Sequence, residues 1–408
     1  MGEKLGFIDL FAGCGGLSLG LINAGLHGIF AIEKSPDAFT TFRHNLIDGN
    51  KVNKFIWPTW LPCKATTASV LLNKYNQQLH EMADNIQLIA GGPPCQGFSF
   101  AGKRNPNDPR NKLVEEYIKI VKIVQPKYLL LENVKGFKSP FLLKNNRKKI
   151  YSDIIKTKLE DLGYMVYTSM IDASIFGVPQ SRHRFVMIAI NKKVNIDDNP
   201  FDTLLSMAKS FRKNKGLPEV GIISVSNALS DLQTYNGKYI EKSIDNKGYM
   251  QIKYRRKYYS KYQKLMQNNC PLDYTPNGLR LAKHKKEIVK RFKIILKKCE
   301  KGKNVPKEKL EKLGTKKFSF TPLHPRKLSR TITTLPDDLL HYSEPRILTV
   351  RENARLQSFP DWFEIKGKYT TGGKRRKKEC PKYTQIGNAV PPLLGEVLGK
   401  LILEINGK

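Results

Sequence analysis

Acidic side chains are scarce in this chain of 408 residues: 36 Asp plus Glu stand against 71 Lys plus Arg, a formal net charge of +35. Solubility needs far less than that, so a polyanion is the expected partner. No run of about 18 apolar residues is present, which sets aside a spanning helix, and no membrane partner is expected. The amino terminus passes directly into a strand-like Leu5–Leu10 without a signal-peptide pattern, so a cytoplasmic protein is expected. The six cysteines (Cys14, Cys63, Cys95, Cys270, Cys299, Cys380) include no Cys-x-x-Cys pair. Neither a zinc knuckle nor a disulfide framework is indicated, and no metal is expected. No internal repeat is visible.

What is present is an alternation of apolar runs and helical spacing over roughly the first 190 residues, the pattern of an α/β domain with a mostly parallel sheet. Gly6 to Gly20 reads as a strand, a glycine-dense turn and a helix running to about Ala24. Gly13, Gly15 and Gly16 allow close backbone approach to a ligand, and the helix start offers N–H groups. Glu33 ends the next apolar run, 20 residues after Gly13, where a carboxylate would accept hydrogen bonds from ribose hydroxyls. The loop lacks the Gly-x-Gly-x-x-Gly spacing, which argues against a dinucleotide and for another adenosine-containing cofactor.

A second strand-like run, Ile86–Ala90, ends in Gly91-Gly-Pro-Pro-Cys95. A thiol just past the carboxyl end of a buried strand is placed for nucleophilic attack, although a free cysteine also suits an apolar core, and both readings stand at this point. Phe98–Leu113 follows as a basic loop with Lys103, Arg104 and Arg110, read as a lid over an anionic substrate or as an ordinary solvated loop. Tyr128–Leu131 delivers Glu132 to a neighbouring strand end, as a general acid or as a carboxylate satisfied by backbone N–H groups. Arg182 and Arg184, at i and i+2 before the apolar run Phe185–Ile190, would share one strand face as a clamp or stand as solvated edge charges. From Asn191 to about Arg326 the alternation stops. Lysine and tyrosine then dominate, as in Tyr254-Arg-Arg-Lys-Tyr-Tyr259, a composition suited to a nucleic-acid surface. Thr349 caps a helix stopped by Pro360, Gly367–Cys380 is a basic linker, and Leu393–Ile405 is a closing helix.

Six blocks, in order, resemble the DNA (cytosine-5) methyltransferase family: Phe11-Ala-Gly-Cys-Gly-Gly16, Pro93-Pro-Cys-Gln96, Glu132-Asn-Val134, Gln180-Ser-Arg-His-Arg184, Arg351–Pro360 and Gly387-Asn-Ala-Val390. The resemblance implies a Rossmann-like S-adenosylmethionine-dependent methyltransferase domain over 1–191 and a smaller target-recognition domain. The latter would comprise a variable region at 192–326 and a remainder with the basic linker at 327–380. Residues 381–408 would return to the catalytic domain.

By the same resemblance, Cys95 is the nucleophile at cytosine carbon 6, Glu132 acts at ring nitrogen 3, Arg184 holds the ring oxygen, and Arg182 supports the site or the phosphates. The cofactor would lie against Phe11, Ala12, Gly13, Cys14, Gly15, Gly16, Glu33, Pro93, Leu113, Asn388 and Ala389. DNA would meet Gln96, Ser99, Lys103 and Arg110. The family's usual aspartate for the adenine amino group has no match in Cys63–Val70, and Asp84 is the only nearby acid to take its place. A bacterial restriction-modification enzyme is implied: monomeric, nucleoid-associated, acting on flipped cytosines in double-stranded DNA, with a cognate restriction endonuclease as a further partner. The family's transfer-RNA branch and a catalytically silent DNA-binding regulator are the competing readings.

Overall fold

The computed structural model describes residues 5–49, 55–93, 112–138, 140–142, 148–315, 317, 319–371, 375 and 378–407. The chain forms two compact units, one of Met1–Asp172, His183–Met207 and Leu394–Lys408, the other of Ala173–Arg182 and Ala208–Leu393. Residues 192–207 of the expected 192–326 segment stay with the first unit, its remainder shares the second unit with 327–380, and the return to the first begins at Leu394, where 381 was expected.

In the first unit, β1 (Gly6–Leu10), α1 (Gly16–Ala24), β2 (His27–Ile32), α2 (Pro36–Leu46), α3 (Ala68–Lys74), α4 (Asn76–Glu81), β3 (Leu88–Gly91), α5 (Lys112–Val124) and β4 (Tyr128–Val134) follow in order. A short ribbon, β5 (Phe141–Leu142) with β6 (Lys148–Lys149), precedes α6 (Tyr151–Asp161), β7 (Tyr164–Asp172), β8 (His183–Asn191) and α7 (Pro200–Ser206). The six-stranded sheet has the order β2-β1-β3-β4-β8-β7. β1, β2, β3 and β4 pair in parallel, while β8 runs antiparallel to both β4 and β7, so the sheet is mostly parallel as expected.

The strands are almost continuous apolar runs because they are buried, as in sheets covered by helices. Ile8, Leu10, Ile89, Leu129 and Leu131 pack with Leu71 of α3, Tyr117 and Val121 of α5, and Ile155 and Leu159 of α6 in one core. In α5 the spacing of Val114, Tyr117, Val121 and Val124 gives the buried stripe. α2 starts on Ser35, whose hydroxyl accepts from the Ala38 N–H, with Pro36 in the first turn. Between β2 and β3 the chain forms α3 and α4, with a break at Tyr75.

The second unit contains α8 (Ala208–Asn214), α9 (Val225–Leu229), β9 (Ile240–Lys242), β10 (Met250–Ile252), α10 (Lys261–Gln267), α11 (Lys286–Lys298), α12 (Lys307–Lys312), β11 (Thr321–Pro322), β12 (Leu339–Leu340), α13 (Val350–Leu356) and α14 (Lys382–Asn388). Its core is partly ionic: the buried Arg355 binds Asp231 at 2.6 Å and Asp361 at 2.7 Å. Arg346 binds Glu344 and Glu352, each at 2.7 Å. Thr349 and Glu352 form a capping box at the start of α13, as the capping Thr349 implied.

The last helix, α15 (Pro392–Asn406), crosses into the first unit. Lys382–Asn406 is apolar enough for a membrane by composition, which qualifies the expectation that no such stretch exists. However, 78% of its most apolar window is buried, as in a core helix. α15 packs closely on α1: a Cβ on Gly20 would lie 2.5 Å from the backbone of Gly395 and Glu396. Gly20→Ala would gain about 1 kcal/mol of helix propensity. The backbone clash outweighs this, so we expect a net loss of roughly 1–2 kcal/mol in urea unfolding. An unchanged or raised midpoint would mean that the two helices can separate freely.

Candidate active site

The loop between β1 and α1 is built from backbone that side chains rarely adopt: φ is +67° at Phe11, +58° at Gly13 and +95° at Gly15. Nothing lies within 4 Å of a Cβ placed on Gly13, whereas one on Gly15 would strike Phe42 and Leu46. One glycine therefore opens the loop outward and the other lets it sit on α2. Glu33 fixes the loop from the end of β2, its carboxylate accepting from the Gly13 N–H at 2.9 Å and the Ser35 N–H at 2.7 Å. Burial pushes this carboxyl above its ordinary pKa, against the lowering effect of those two N–H groups. A carboxylate has about four lone-pair sites, so acceptor capacity remains for a ribose hydroxyl. α1 begins at Gly16 with no side-chain cap, which suits an incoming carboxylate. These features fit an adenosyl amino acid such as S-adenosylmethionine.

The second half of the site lies at the strand ends. Arg184 pairs with Val134 across the antiparallel β4–β8 ladder, so it shares a face with Glu132 two residues earlier on β4. Arg184 Nε lies 2.8 Å from Glu132 Oε1, with 10% and 11% of the side chains exposed. A Cβ on Gly92 would be 3.3 Å from Glu132 Oε2, so the carboxylate lies against the backbone just after β3. Asn133 Nδ2 donates to the Pro93 carbonyl at 3.0 Å and ties that turn to β4. A carboxylate and a guanidinium, held together beside a strand-end turn, can bind and polarise a planar heterocycle with ring N and C=O groups.

The family described as C-5 cytosine-specific DNA methylase matches residues 5–404. The Type II methyltransferase M.DdeI of Desulfomicrobium norvegicum is 31% identical, covering 98% of this chain and 88% of the relative. The Type II methyltransferase M1.HphI of Haemophilus parahaemolyticus is 29% identical, covering 99% and 88%. A solved prophage-encoded DNA modification methyltransferase of E. coli superposes with a TM-score of 0.66 at 24% identity, covering 99% and 100%, a likeness of fold. The chain belongs to the C-5 cytosine-specific DNA methylase family. It is an enzyme that transfers a methyl group from S-adenosylmethionine to carbon 5 of cytosine in DNA.

The expected site residues of this methylase fall in three places. Phe11, Ala12, Gly13, Cys14, Gly15, Gly16, Glu33, Pro93, Leu113, Glu132 and Arg184 all belong to the first unit. The Cys14 side chain is buried, so only its backbone can meet the cofactor. Asn388, exposed, and Ala389, buried, belong to the second unit. Cys95, Gln96, Ser99, Lys103 and Arg110 lie outside the described residues. Arg182 differs from the expected shared clamp with Arg184, because it precedes β8 and belongs to the second unit. Its buried guanidinium donates to the carbonyls of Gly387 at 3.0 Å and Ala389 at 2.9 Å, and to Ile332 O and Gln180 Oε1. That geometry supports the Gly387–Ala389 turn and leaves no arrangement for phosphate.

Asp84 does not replace the missing adenine ligand. It is exposed in a short turn before the amino end of β3, whereas Glu132 and Pro93 stand at the opposite, carboxyl end. Instead Thr66, in the segment where the aspartate was sought, donates its N–H to Glu33 O at 2.9 Å and brings that loop to the cofactor side. Sequence reasoning also passed over Asp9, an acid inside the apolar strand β1, which was the available signal. Its carboxyl accepts from the buried Ser18 hydroxyl on α1 at 2.5 Å, joining strand and helix behind the glycine loop.

Burial raises the Asp9 pKa from 3.8 to about 7, with the Glu33 charge adding and the Ser18 bond opposing. The folded protein then keeps a proton that the unfolded chain releases, so the contribution of Asp9 to stability falls as pH rises from 3.8 to about 7. Asp9→Asn keeps the Ser18 contact without the charge. We expect a shallower decline of the unfolding midpoint across that window; an unaltered slope would mean that Asp9 ionises normally.

Proposed function

We propose that this methylase is the modification enzyme of a bacterial restriction-modification pair, with Cys95 as nucleophile and Glu132 and Arg184 as the pocket for the flipped cytosine. The observation that carries the residue assignment is the Glu132–Arg184 pair beside Gly92 and Pro93, three residues or fewer from Cys95. Carbon 5 of cytosine is a weak nucleophile until a group adds to carbon 6. The Cys95 thiolate forms that bond, while Glu132 hydrogen-bonds the ring at nitrogen 3 and Arg184 holds the ring oxygen, so electron density moves to carbon 5. When bound, S-adenosylmethionine supplies the electrophilic methyl group. Loss of the carbon 5 proton then re-forms the double bond and expels the cysteine thiolate. Nitrogen 3 of cytosine is an acceptor, so its contact with the Glu132 carboxyl requires a proton shared between them as the base enters.

Extruding the base costs roughly a few kcal/mol, which phosphate contacts of the basic surface offset. Residues 192–326 are read as the target-recognition region and Phe98–Leu113 as the lid. The chain would act as a monomer in the cytoplasm, at the nucleoid, beside an endonuclease of the same sequence specificity. The relatives named as Type II methyltransferases support that setting.

Duplex DNA and S-adenosylmethionine with a labelled methyl group should give labelled 5-methylcytosine. Cys95→Ala should abolish transfer, and Glu132→Gln should slow it by roughly 10²–10⁴-fold. Equal labelling by Cys95→Ala would overturn the nucleophile assignment. Label confined to transfer RNA would favour the RNA branch, and tight DNA binding without transfer would favour a silent regulator. Neutralising Lys103 and Arg110 together should reduce the slope of log affinity against log salt by up to about 2. An unchanged slope would place the lid away from phosphates.

A further inference from the structure

We infer that the tip of the β9–β10 hairpin, residues 244–247, reads base edges in the major groove of the target DNA. The inference rests on the reading of residues 192–326 as the recognition region and names the side chains that do the reading. A two-stranded ribbon is one of the elements that the major groove of B-DNA admits. β9 and β10 pair antiparallel, Met250 with Lys242 and Ile252 with Ile240, and the Ser243 N–H closes the loop onto Tyr249 O at 2.9 Å.

The ribbon is sorted by charge. Its two acids are held by the protein: Glu241 accepts from Gln251 Nε2 at 2.9 Å, and Asp245 accepts from the Gly278 N–H and the Tyr369 hydroxyl, each at 3.0 Å. Its cations face solvent, with Lys238, Lys242, Lys247, Lys253, Arg256 and Lys257 all exposed. A surface arranged in this way is complementary to phosphate on both sides of a groove. Apolar exposure is concentrated in the same place. Of the 13 large apolar side chains most exposed among the described residues, Tyr235, Ile244, Met250, Tyr258 and Tyr259 fall within 25 positions. Ile244, 73% exposed, stands at the tip itself.

The tip is also held firmly, as a reading element must be. Asp245 sits 3.9 Å from Lys382 Nζ at the start of α14. Arg280 lies over the rings of Tyr249, at 4.2 Å, and Tyr369, at 3.8 Å. The Ile244 N–H donates to Gln251 Oε1 at 3.0 Å. Asp245 is exposed but its carboxylate is engaged by Gly278 and Tyr369, so the exposed Ile244 and Lys247 and the partly buried Asn246 are the groups left to meet a base. Their chemistry matches base edges: an apolar contact for a thymine methyl, a carboxamide for adenine N6 and N7, and an ammonium for guanine O6 and N7.

The test is methylation of a randomised duplex library by the full-length enzyme, read by bisulfite sequencing, for wild type and for Ile244→Ala, Asn246→Ala and Lys247→Ala. We expect at least one variant to lose roughly tenfold discrimination at one or two positions of the recognised sequence, with the KM for S-adenosylmethionine unchanged. Wild-type sequence profiles in all three variants would overturn the inference. A parallel chimera, with residues 208–326 replaced by those of a relative of different specificity, separates the two readings. If specificity follows the exchanged region while the tip variants change nothing, the hairpin assignment fails and the regional one stands. If specificity does not follow the exchange, both fail.

Discussion

An ion pair that is about nine-tenths buried governs how the first unit must be built. Desolvating a carboxylate and a guanidinium costs several kcal/mol for each, and their attraction offsets this only when geometry is good and the remaining donors and acceptors are met. Glu132 and Arg184 achieve their 2.8 Å contact because β8 runs antiparallel to β4 with Val134 opposite Arg184. A slip of one residue would turn Arg184 to the other face. The pair therefore depends on the register of the sheet, and the turn after β3 depends in turn on β4 through the bond from Asn133 to Pro93. The antiparallel strand in an otherwise parallel sheet is what brings an arginine to the carboxyl ends of β3 and β4.

The second unit uses arginine differently. Arg351, Arg355 and Arg182 are among the largest fully buried side chains, and their guanidinium groups are directed to carbonyls and carboxylates of the same unit. The block Arg351–Pro360 is thus an internal scaffold: α13 with its capping box, and Arg355 bridging Asp231 and Asp361. Removing one member of such a network leaves an uncompensated buried charge, a cost of roughly 3–5 kcal/mol. The scaffold fixes the segments around it, including Asp231 just after α9, which Arg255 also contacts.

Much of the first unit was legible because β1 to β4 are buried and read as apolar runs. Leu5–Leu10, Ile29–Ile32, Ile86–Ala90 and Tyr128–Leu131 each mark a strand to within a few residues. The glycine loop and Glu33 were legible for the same local reason, since 20 residues span one strand–turn–helix–strand unit. What escaped depends on pairings across long separations. Arg182 and Arg184 are two residues apart, yet the chain changes unit between them, and the backbone carbonyls that Arg182 binds lie 150 to 207 residues away. Asp84 sits at the wrong end of β3, which spacing alone does not reveal. The hairpin is only three residues per strand and was legible as composition, a basic and tyrosine-rich stretch, without its architecture.

In the proposed reaction the thiol of Cys95, which follows Gly91-Gly-Pro-Pro in sequence, attacks the base held by Glu132 and Arg184. Duplex DNA with fluorine at carbon 5 of the target cytosine tests it most directly, because fluorine cannot leave as the proton does and the adduct accumulates. Mass spectrometry of the digested complex should find the nucleotide on the peptide that contains Cys95, together with the transferred methyl group. An adduct on another residue, or methylation of normal DNA with no adduct on the fluorinated one, would contradict the account.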